Sequence, residues 1–261
     1  MANIKIAVIN ESTVVNDNDA NKVVASLQKQ VHQHFAPAWG IDADLTVVAK
    51  TSSPDKGTWW LVILDNSDQA GALGYHDMTN EGLPLGKVFA STDLQYGQKW
   101  SVTASHELLE MLGDPDINLS ALVEDDANGS GTLYAYEVCD ACEADDDGYD
   151  IDGVQVSDFV YPTWFETMWS NASVDSVQFD YMKHVSAPFE LRPGGYIGIY
   201  NIKSGSGWTQ KTADGDITYD QRPRVGSRRE RRRTSRLHWQ RSKAIQLIGQ
   251  RRKELAEACG K

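Results

Sequence analysis

The 261-residue sequence predicts an α+β fold built on a mixed sheet. Short β-branched runs alternate with amphipathic segments over the first half of the chain. The run WWLVIL at 59–64 is almost entirely apolar, which is typical of a strand buried on both faces at the centre of a sheet. Later segments, at 133–138 and 148–159, alternate bulky and polar residues around turn signals. We therefore expect a helix-covered sheet first and a β-hairpin-rich region after it.

The elements follow in order along the first half. Residues 3–9 are a predicted strand, and a helix begins near Asp17 and ends at Pro37. Its apolar stripe recurs at three- and four-residue steps: Val23, Val24, Leu27, Val31 and Phe35. Further strands are expected at 44–50, 59–64, 73–76 and 87–91, and a second helix at 101–113. Residues 116–131 are predicted to be a polar connection, and 201–220 an exposed loop.

The segment SVTASHELLEMLGDP, at 101–115, holds the main candidate site. On a helix, His106 and Glu110 project from one face, one turn apart, and Glu107 lies beside them. Metallopeptidases use an imidazole and a carboxylate at this spacing to hold zinc, with the adjacent Glu as general base. Glu110 stands where the usual motif has a second His, which leaves the identity of the metal open. The alternative is an ordinary amphipathic helix with a solvated polar face.

The order of elements ahead of this helix resembles the N-terminal half of zincin-type metallopeptidases. The strings at 104–115 and 136–140, ASHELLEMLGDP and YEVCD, are also similar to an H-E-x-x-E…D-P…E-x-x-D-x-C pattern. That pattern occurs in uncharacterised bacterial and phage proteins, and in some secreted peptidase-like and plant phosphate-induced proteins. In architecture the resemblance covers residues 1–165.

The resemblance implies a metal held by His106, Glu110 and a carboxylate from Glu137 or Asp140, with Glu107 as general base. It also implies that the last strand before the helix is a sheet edge, along which a peptide substrate lies. Zinc would take three protein ligands and leave one position for water. Mn²⁺ or Ca²⁺ would also suit a ligand set that is rich in carboxylates.

A second acidic cluster, EADDDGYDID, occupies 143–152. Asp145, Asp147 and Asp150 are a candidate Ca²⁺ site, because the cluster is similar to the start of an EF-hand loop. Position twelve counted from Asp145 is Val156 instead of Glu, so a solvated acidic turn is the alternative. The nearby Cys139 and Cys142 form a single C-x-x-C, which we interpret as two semi-buried thiols.

Charge divides the chain into a predicted domain at 1–221 and a basic C-terminal arm at 222–261. The arm holds 14 Lys or Arg against 3 Asp or Glu, whereas the rest of the chain holds 11 against 34. The acidic domain should attract cations and repel nucleic acid. We expect the arm to fold back on the domain or to contact another subunit; contact with nucleic acid or with a capsid interior is the alternative.

These features predict a metal-dependent, peptidase-like hydrolase that acts on a peptide or protein. The alternative is a phage virion or assembly component that keeps the fold and a structural metal. A third hypothesis is a calcium-stabilised binding module that uses the aromatic stretch at 161–169, although that stretch could equally be core. No apolar run of membrane-spanning length and no secretory signal is visible, so we expect a cytoplasmic or virion-associated protein with no membrane partner. His184 is predicted to lie in a loop.

Overall fold

The computed structural model describes residues 4–49, 52–68, 72–79, 81–125, 129–171, 176–205, 207–215 and 217–219. The predicted basic arm at 222–261 lies outside the described residues. Within those ranges the chain is a mixed α+β structure, as predicted. None of the described helices is long and apolar enough to cross a membrane.

Five strands of the first half form a mixed sheet. They are β1 (Ile4–Asn10), β2 (Ala43–Val48), β3 (Trp59–Leu64), β4 (Gly74–Met78) and β5 (Pro84–Phe89). The strand order is β2-β1-β3-β5-β4, in which β4 runs antiparallel to β5 and the other pairs are parallel. The apolar strand β3 is central, and its residues contribute alternately to the cores on the two faces of the sheet. The expectation that the last strand before the helix forms the edge is wrong, because β5 lies between β3 and β4 and β4 is the edge.

Four helices accompany this sheet: α1 (Asp17–Lys29), α2 (Ala36–Trp39), α3 (Ala90–Gln95) and α4 (Trp100–Gly113). The side chain of Asn16 caps α1 by accepting the Asp19 N–H, and the predicted apolar stripe is buried. A π-helical segment, Gln30–Phe35, joins α1 directly to α2. Pro37 therefore does not end the helical run, which continues to Trp39, because a proline in the first turn of α2 needs no backbone N–H.

Seven more strands follow α4. They are β6 (Ser120–Glu124), β7 (Gly131–Ala135), β8 (Tyr149–Ile151), β9 (Val154–Val156), β10 (Tyr196–Asn201), β11 (Trp208–Thr212) and β12 (Ile217–Tyr219). Five of them form an antiparallel sheet in the order β12-β11-β10-β7-β6. The prediction of loops at 116–131 and 201–220 is wrong where β6, β11 and β12 lie. Strand β6 is a partly exposed edge that buries little apolar surface, so its sequence carries a weak strand signal.

Strands β8 and β9 form the predicted hairpin around Asp152 and Gly153. Both turn residues have positive φ, 54° and 77°, as a type I′ turn requires. The hairpin packs on α1, where Ser26 Oγ donates a hydrogen bond of 2.9 Å to the carbonyl oxygen of Ile151. The segment after α4 is thereby folded back onto the first half of the chain.

Helix α4 lies in the core that joins the two halves of the chain. Leu108 and Met111 of α4 are buried in one cluster with Val138, Cys139 and Phe159. The aromatic stretch at 161–169 contributes Trp164 and Phe165 to a neighbouring buried cluster. Of the two predicted roles for that stretch, these two residues take the core role.

Candidate metal centre

Helix α4 directs His106, Glu107 and Glu110 towards the edge of the first sheet, which is formed by β4. Eleven of its fourteen residues are buried, including Glu107 and Glu110, so this is not a solvated helix face. The helix approaches the sheet closely at Gly74 of β4. A β-carbon at that position would lie 2.8 Å from Glu107 Oε1, a distance shorter than normal packing permits. The glycine thus allows a carboxylate to rest directly against the edge strand.

The segment after β7 brings two more carboxylates to the same place. Val138 packs against Gly113 at the end of α4, where a β-carbon on the glycine would lie 2.8 Å from Val138 Cγ1. The Cys139 N–H points to Glu110 Oε1 at 3.4 Å. These contacts hold Glu137 and Asp140 over the helix, and both residues are buried. The sequence led us to expect that the H-E-x-x-E motif and the downstream acidic residues belong to one site. The structure places them close to each other.

His106, Glu110 and Asp140 converge on one point. The Nε2 atom of His106 lies 3.3 Å from Glu110 Oε1 and 3.3 Å from Asp140 Oδ1. A tetrahedral zinc ion with bonds of about 2.0–2.1 Å separates its ligand atoms by about 3.3–3.4 Å. The two distances from His106 Nε2 therefore match two edges of a zinc tetrahedron, and all three ligand atoms lie within 4.8 Å of one another. Of the two expected candidates for the third ligand, Asp140 and not Glu137 joins this group.

His76 of β4 is the residue of this site that sequence reasoning did not identify. Its Nδ1 lies 3.2 Å from Glu110 Oε2, and its Nε2 lies 3.5 Å from Glu137 Oε2. Ligand atoms of these three residues are close enough to hold an ion. However, the two carboxylates face different nitrogens of the ring, so they do not converge on one point as the His106 group does. This geometry suits an imidazole that spans and orients two carboxylates. The available sequence signal was a histidine in the strand next to the motif helix.

Glu107 lies between the helix and the edge strand. The residue is about 5 % exposed, and its Oε2 atom has no hydrogen-bond partner among the described residues. The nearest basic group is His76, whose Nδ1 lies 3.7 Å from Glu107 Oε2. A buried carboxylate oxygen without a donor is costly and is uncommon outside functional sites. Glu107 thus retains an oxygen that can accept a proton from a molecule bound beside it.

Burial and the charges of neighbouring groups shift the pKa values of His106, Glu110 and Asp140. Burial opposes the charge on His106, but the charge of Glu110 and the hydrogen-bonding Asp140 and Glu110 carboxylates outweigh it, so the pKa of His106 lies well above its usual value. Burial also opposes the charge on Glu110, but the charge and contacts of His106 hold its pKa well below the usual range. Burial, followed by the charge of Glu110, raises the pKa of Asp140 well above normal.

Further acidic groups surround these residues. Burial raises the pKa of Glu143 to about 7, and the charges of Glu110 and Glu107 add to the shift. Burial and then the carboxylates of Asp140 and Glu143 raise the pKa of the Tyr196 hydroxyl. Five carboxylates (Glu107, Glu110, Glu137, Asp140 and Glu143) thus share a buried region with two imidazoles. Such an excess of negative charge is offset either by bound protons or by a metal cation.

The candidate calcium ligands are not brought together. Asp145 accepts the Lys99 N–H, Asp147 accepts two hydrogen bonds from Arg192, and Asp150 accepts the Gly153 N–H within the hairpin turn. No ion-sized group of ligand atoms containing all three occurs in the described part of the chain. The structure thus places these three side chains in three separate local roles.

Cys139 and Cys142 are free and fully buried, which is deeper than the semi-buried position expected for them. Burial is the largest cause that raises the pKa of each thiol well above normal, so both are held as neutral thiols. Neither cysteine belongs to a candidate metal group of the described residues.

Comparison with family models, with curated proteins and with solved structures gives no match to this chain.

Proposed function

We propose that this protein is a metal-dependent hydrolase of the zincin type that cleaves peptide bonds, with Zn²⁺ held by His106, Glu110 and Asp140. The observation that carries the proposal is the position of His106 Nε2, 3.3 Å from an oxygen of each carboxylate. One imidazole and two carboxylates supply three ligands, which leaves the fourth tetrahedral position for water or substrate. The sheet order, with an antiparallel edge strand beside the motif helix, also supports the proposal.

The protein side chains have distinct roles in this reaction. A bound zinc ion supplies Lewis acidity, which polarises the scissile carbonyl and lowers the pKa of water. Glu107 accepts a proton from the attacking water as its oxygen bonds to the carbonyl carbon. The same carboxyl then delivers the proton to the leaving nitrogen as the carbon–nitrogen bond breaks. The donor-free Oε2 of Glu107 is suited to this proton transfer.

Strand β4 is the proposed binding edge for the substrate. Among the described strands it pairs with β5 alone, so an extended peptide could add to its other side through main-chain hydrogen bonds. Gly74 of this strand lies against Glu107, and His76 reaches Glu110. A peptide paired with β4 would therefore pass close to the general base and to the metal ligands.

The test begins with metal content, measured by elemental mass spectrometry on the full chain purified without a histidine tag. We expect the His106→Ala/Glu110→Ala variant to hold one zinc ion fewer per chain than the wild type. Hydrolysis of fluorescently labelled casein should be lost in the same variant. Equal metal content in the two proteins would overturn the assignment of the ligands.

An assembly component with a structural metal is the second candidate function. The observation that favours it is burial of the site, since Glu107, Glu110 and Asp140 are only about 5 %, 4 % and 6 % exposed. The basic arm at 222–261 would offer a contact to an acidic partner surface. This function predicts zinc that is lost with His106 and Glu110, an absence of hydrolysis, and self-association that depends on the arm. Size-exclusion chromatography with light scattering, with and without residues 222–261, measures that association.

A further inference from the structure

A second group of ionisable side chains lies outside the proposed catalytic centre. Asp158 follows β9, and Asp180 lies beside it across the bridge that pairs Val160 with Asp180. Both aspartates are completely buried. In the described part of the chain, neither carboxylate has a Lys or Arg within 4.0 Å. Two adjacent buried carboxylates without a cation are unstable as a pair of anions.

Backbone N–H groups donate hydrogen bonds to three of the four oxygens of these two carboxylates. Asp180 Oδ2 and Oδ1 accept the N–H groups of His184 and Val185, and Asp158 Oδ1 accepts those of Phe159 and Met182. The remaining oxygen, Asp158 Oδ2, has no hydrogen-bond partner among the described residues, and neither does His184 Nδ1. These two atoms lie 3.9 Å apart. An ion placed between these two atoms would contact both of them.

A third carboxylate lies at the same nitrogen. Asp147 Oδ1 is 3.4 Å from His184 Nδ1, although it also accepts both hydrogen bonds from Arg192. Arg192 neutralises Asp147 and leaves the charges of Asp158 and Asp180 uncompensated. In contrast to His76, His184 faces both neighbouring carboxylates with a single nitrogen.

We propose that Asp158, Asp180 and His184 form a structural binding site for a divalent transition-metal ion of the zinc class. Their ligand atoms all lie within 4.8 Å of one another, which is close enough for one ion to reach all three. The imidazole favours zinc and its neighbours over Ca²⁺, which takes oxygen ligands almost exclusively. The His184 side chain is about 31 % exposed although its Nδ1 atom is buried, so the site lies just below the protein surface.

The competing arrangement is a proton shared by the two aspartates. Burial, followed by the contact with Asp180, raises the pKa of Asp158 to about 9, so in the absence of a metal this carboxyl is protonated. The proton would occupy the space between two oxygens but would leave His184 Nδ1 unsatisfied. A metal ion satisfies all three side chains together.

The proposed ion would connect two segments that are distant in sequence. Asp158 lies two residues after the β8–β9 hairpin, whereas Asp180 and His184 belong to a loop in which Lys183 has a positive φ of 63°. The backbone hydrogen bonds from that loop already fold it around the carboxylates. Metal binding would fix the loop against the hairpin and would stabilise the folded state by mass action.

The experiment uses the full chain in two backgrounds. The first is the wild type, and the second is His106→Ala/Glu110→Ala, in which the catalytic site is removed. In each background His184→Ala is compared with His32→Ala, which removes a histidine of similar exposure elsewhere on the surface. Metal content is measured by elemental mass spectrometry, and Zn²⁺, Mn²⁺ and Ca²⁺ are each titrated calorimetrically into chelator-treated protein. Thermal unfolding is followed with each ion.

We expect His184→Ala to lower the zinc content by one ion per chain in both backgrounds, and His32→Ala to leave it unchanged. At Zn²⁺ concentrations about 100 times Kd, Tm should rise by roughly 5–10 °C, and His184→Ala should abolish most of that rise. Asp158→Asn provides a second variant, since it preserves shape and should also lose the ion. Full zinc retention in His184→Ala or in Asp158→Asn, or binding of Ca²⁺ alone, would overturn the proposal.

Discussion

The two oxygens of Glu110 face two different histidines: Oε2 lies 3.2 Å from His76 Nδ1, and Oε1 lies 3.3 Å from His106 Nε2. His76 also reaches Glu137 with its other nitrogen. A side chain that holds a ligand carboxylate in one orientation reduces the reorganisation that accompanies metal binding. In the proposed zinc site, His76 is thus the positioning residue for Glu110.

Replacing His76 tests this role. We predict that His76→Ala retains the metal but weakens zinc affinity by about 10- to 100-fold, as loss of an outer-shell partner typically does. Competition with a fluorescent chelator measures the change, and His106→Ala should lose far more affinity. Unchanged affinity in His76→Ala would show that Glu110 needs no orientation by the edge strand.

Glu107 is expected to contribute to chemistry and not to metal binding. Glu107→Gln should lower kcat for casein-derived peptides by about 10²- to 10⁴-fold, because the amide cannot accept the proton. Zinc content should stay at the wild-type value. Glu81→Gln, at an exposed glutamate, is the matched control and should leave kcat unchanged. Equal rates in the Glu107 and Glu81 variants would exclude the proposed general base.

Gly74 should be intolerant of even one methyl group. A β-carbon there would lie 2.7 Å from Thr103 Cγ2 and 2.8 Å from Glu107 Cγ and Oε1. We predict that Gly74→Ala costs about 1–3 kcal/mol of stability and also lowers activity, because the helix or the Glu107 side chain must shift.

A second substitution separates these two effects. Adding Thr103→Ser removes the Cγ2 contact but keeps those with Glu107, so Gly74→Ala/Thr103→Ser should regain part of the lost stability in urea unfolding while its activity stays low. Gly198→Ala, in β10, is the control for a strand glycine with a tight neighbour away from the site. Recovery of activity together with stability would show that Glu107 had not been displaced.

Asp93 should make stability depend on pH. It is fully buried and accepts a hydrogen bond of 2.8 Å from Thr103 Oγ1. Burial, with smaller contributions from Asp145 and Glu107, raises its pKa from 3.8 to about 7. The folded state therefore binds a proton that the unfolded state has released, and this contribution to stability is lost as pH rises from about 4 through 7.

Asp93→Asn should remove that dependence. The amide keeps an oxygen for Thr103 and cannot ionise, so the variant should gain stability relative to the wild type at pH 8. The gain is at most about 4 kcal/mol, because one pKa unit corresponds to about 1.4 kcal/mol. Urea unfolding at pH 5 and pH 8 measures it, with the exposed Asp55→Asn as control. A wild-type slope retained in Asp93→Asn would assign the effect to other carboxyls.

The sequence predicts those elements that carry a local pattern of their own. The apolar run of β3, the periodic stripe of α1 and the Asp152–Gly153 turn each specify their structure over a few residues. Strands β6 and β11 were missed because they are short and partly exposed, so pairing with neighbouring strands defines them more than composition does.

The residues of the candidate site likewise differ in how far the local sequence predicts their positions. Helical spacing alone places His106 and Glu110 on one face. By contrast, His76 lies thirty residues earlier in the chain, and only the antiparallel pairing of β4 with β5 brings it to Glu110. The group around His184 depends on a loop wrapped around two buried aspartates, for which local sequence offers no periodic signal.

The position of Asp140 in the chain has a consequence for biosynthesis. Strands β1–β5 and helix α4 have all been synthesised once translation reaches residue 113. The proposed ligand set is incomplete until Asp140 has been added. At about 5–20 residues per second, those last residues take roughly 1–5 s to synthesise. The nascent chain can thus assemble its central sheet before it can bind the metal fully. In the proposed site, coordination by all three ligands therefore cannot precede the synthesis of Asp140, and His106 and Glu110 alone would hold the ion less tightly.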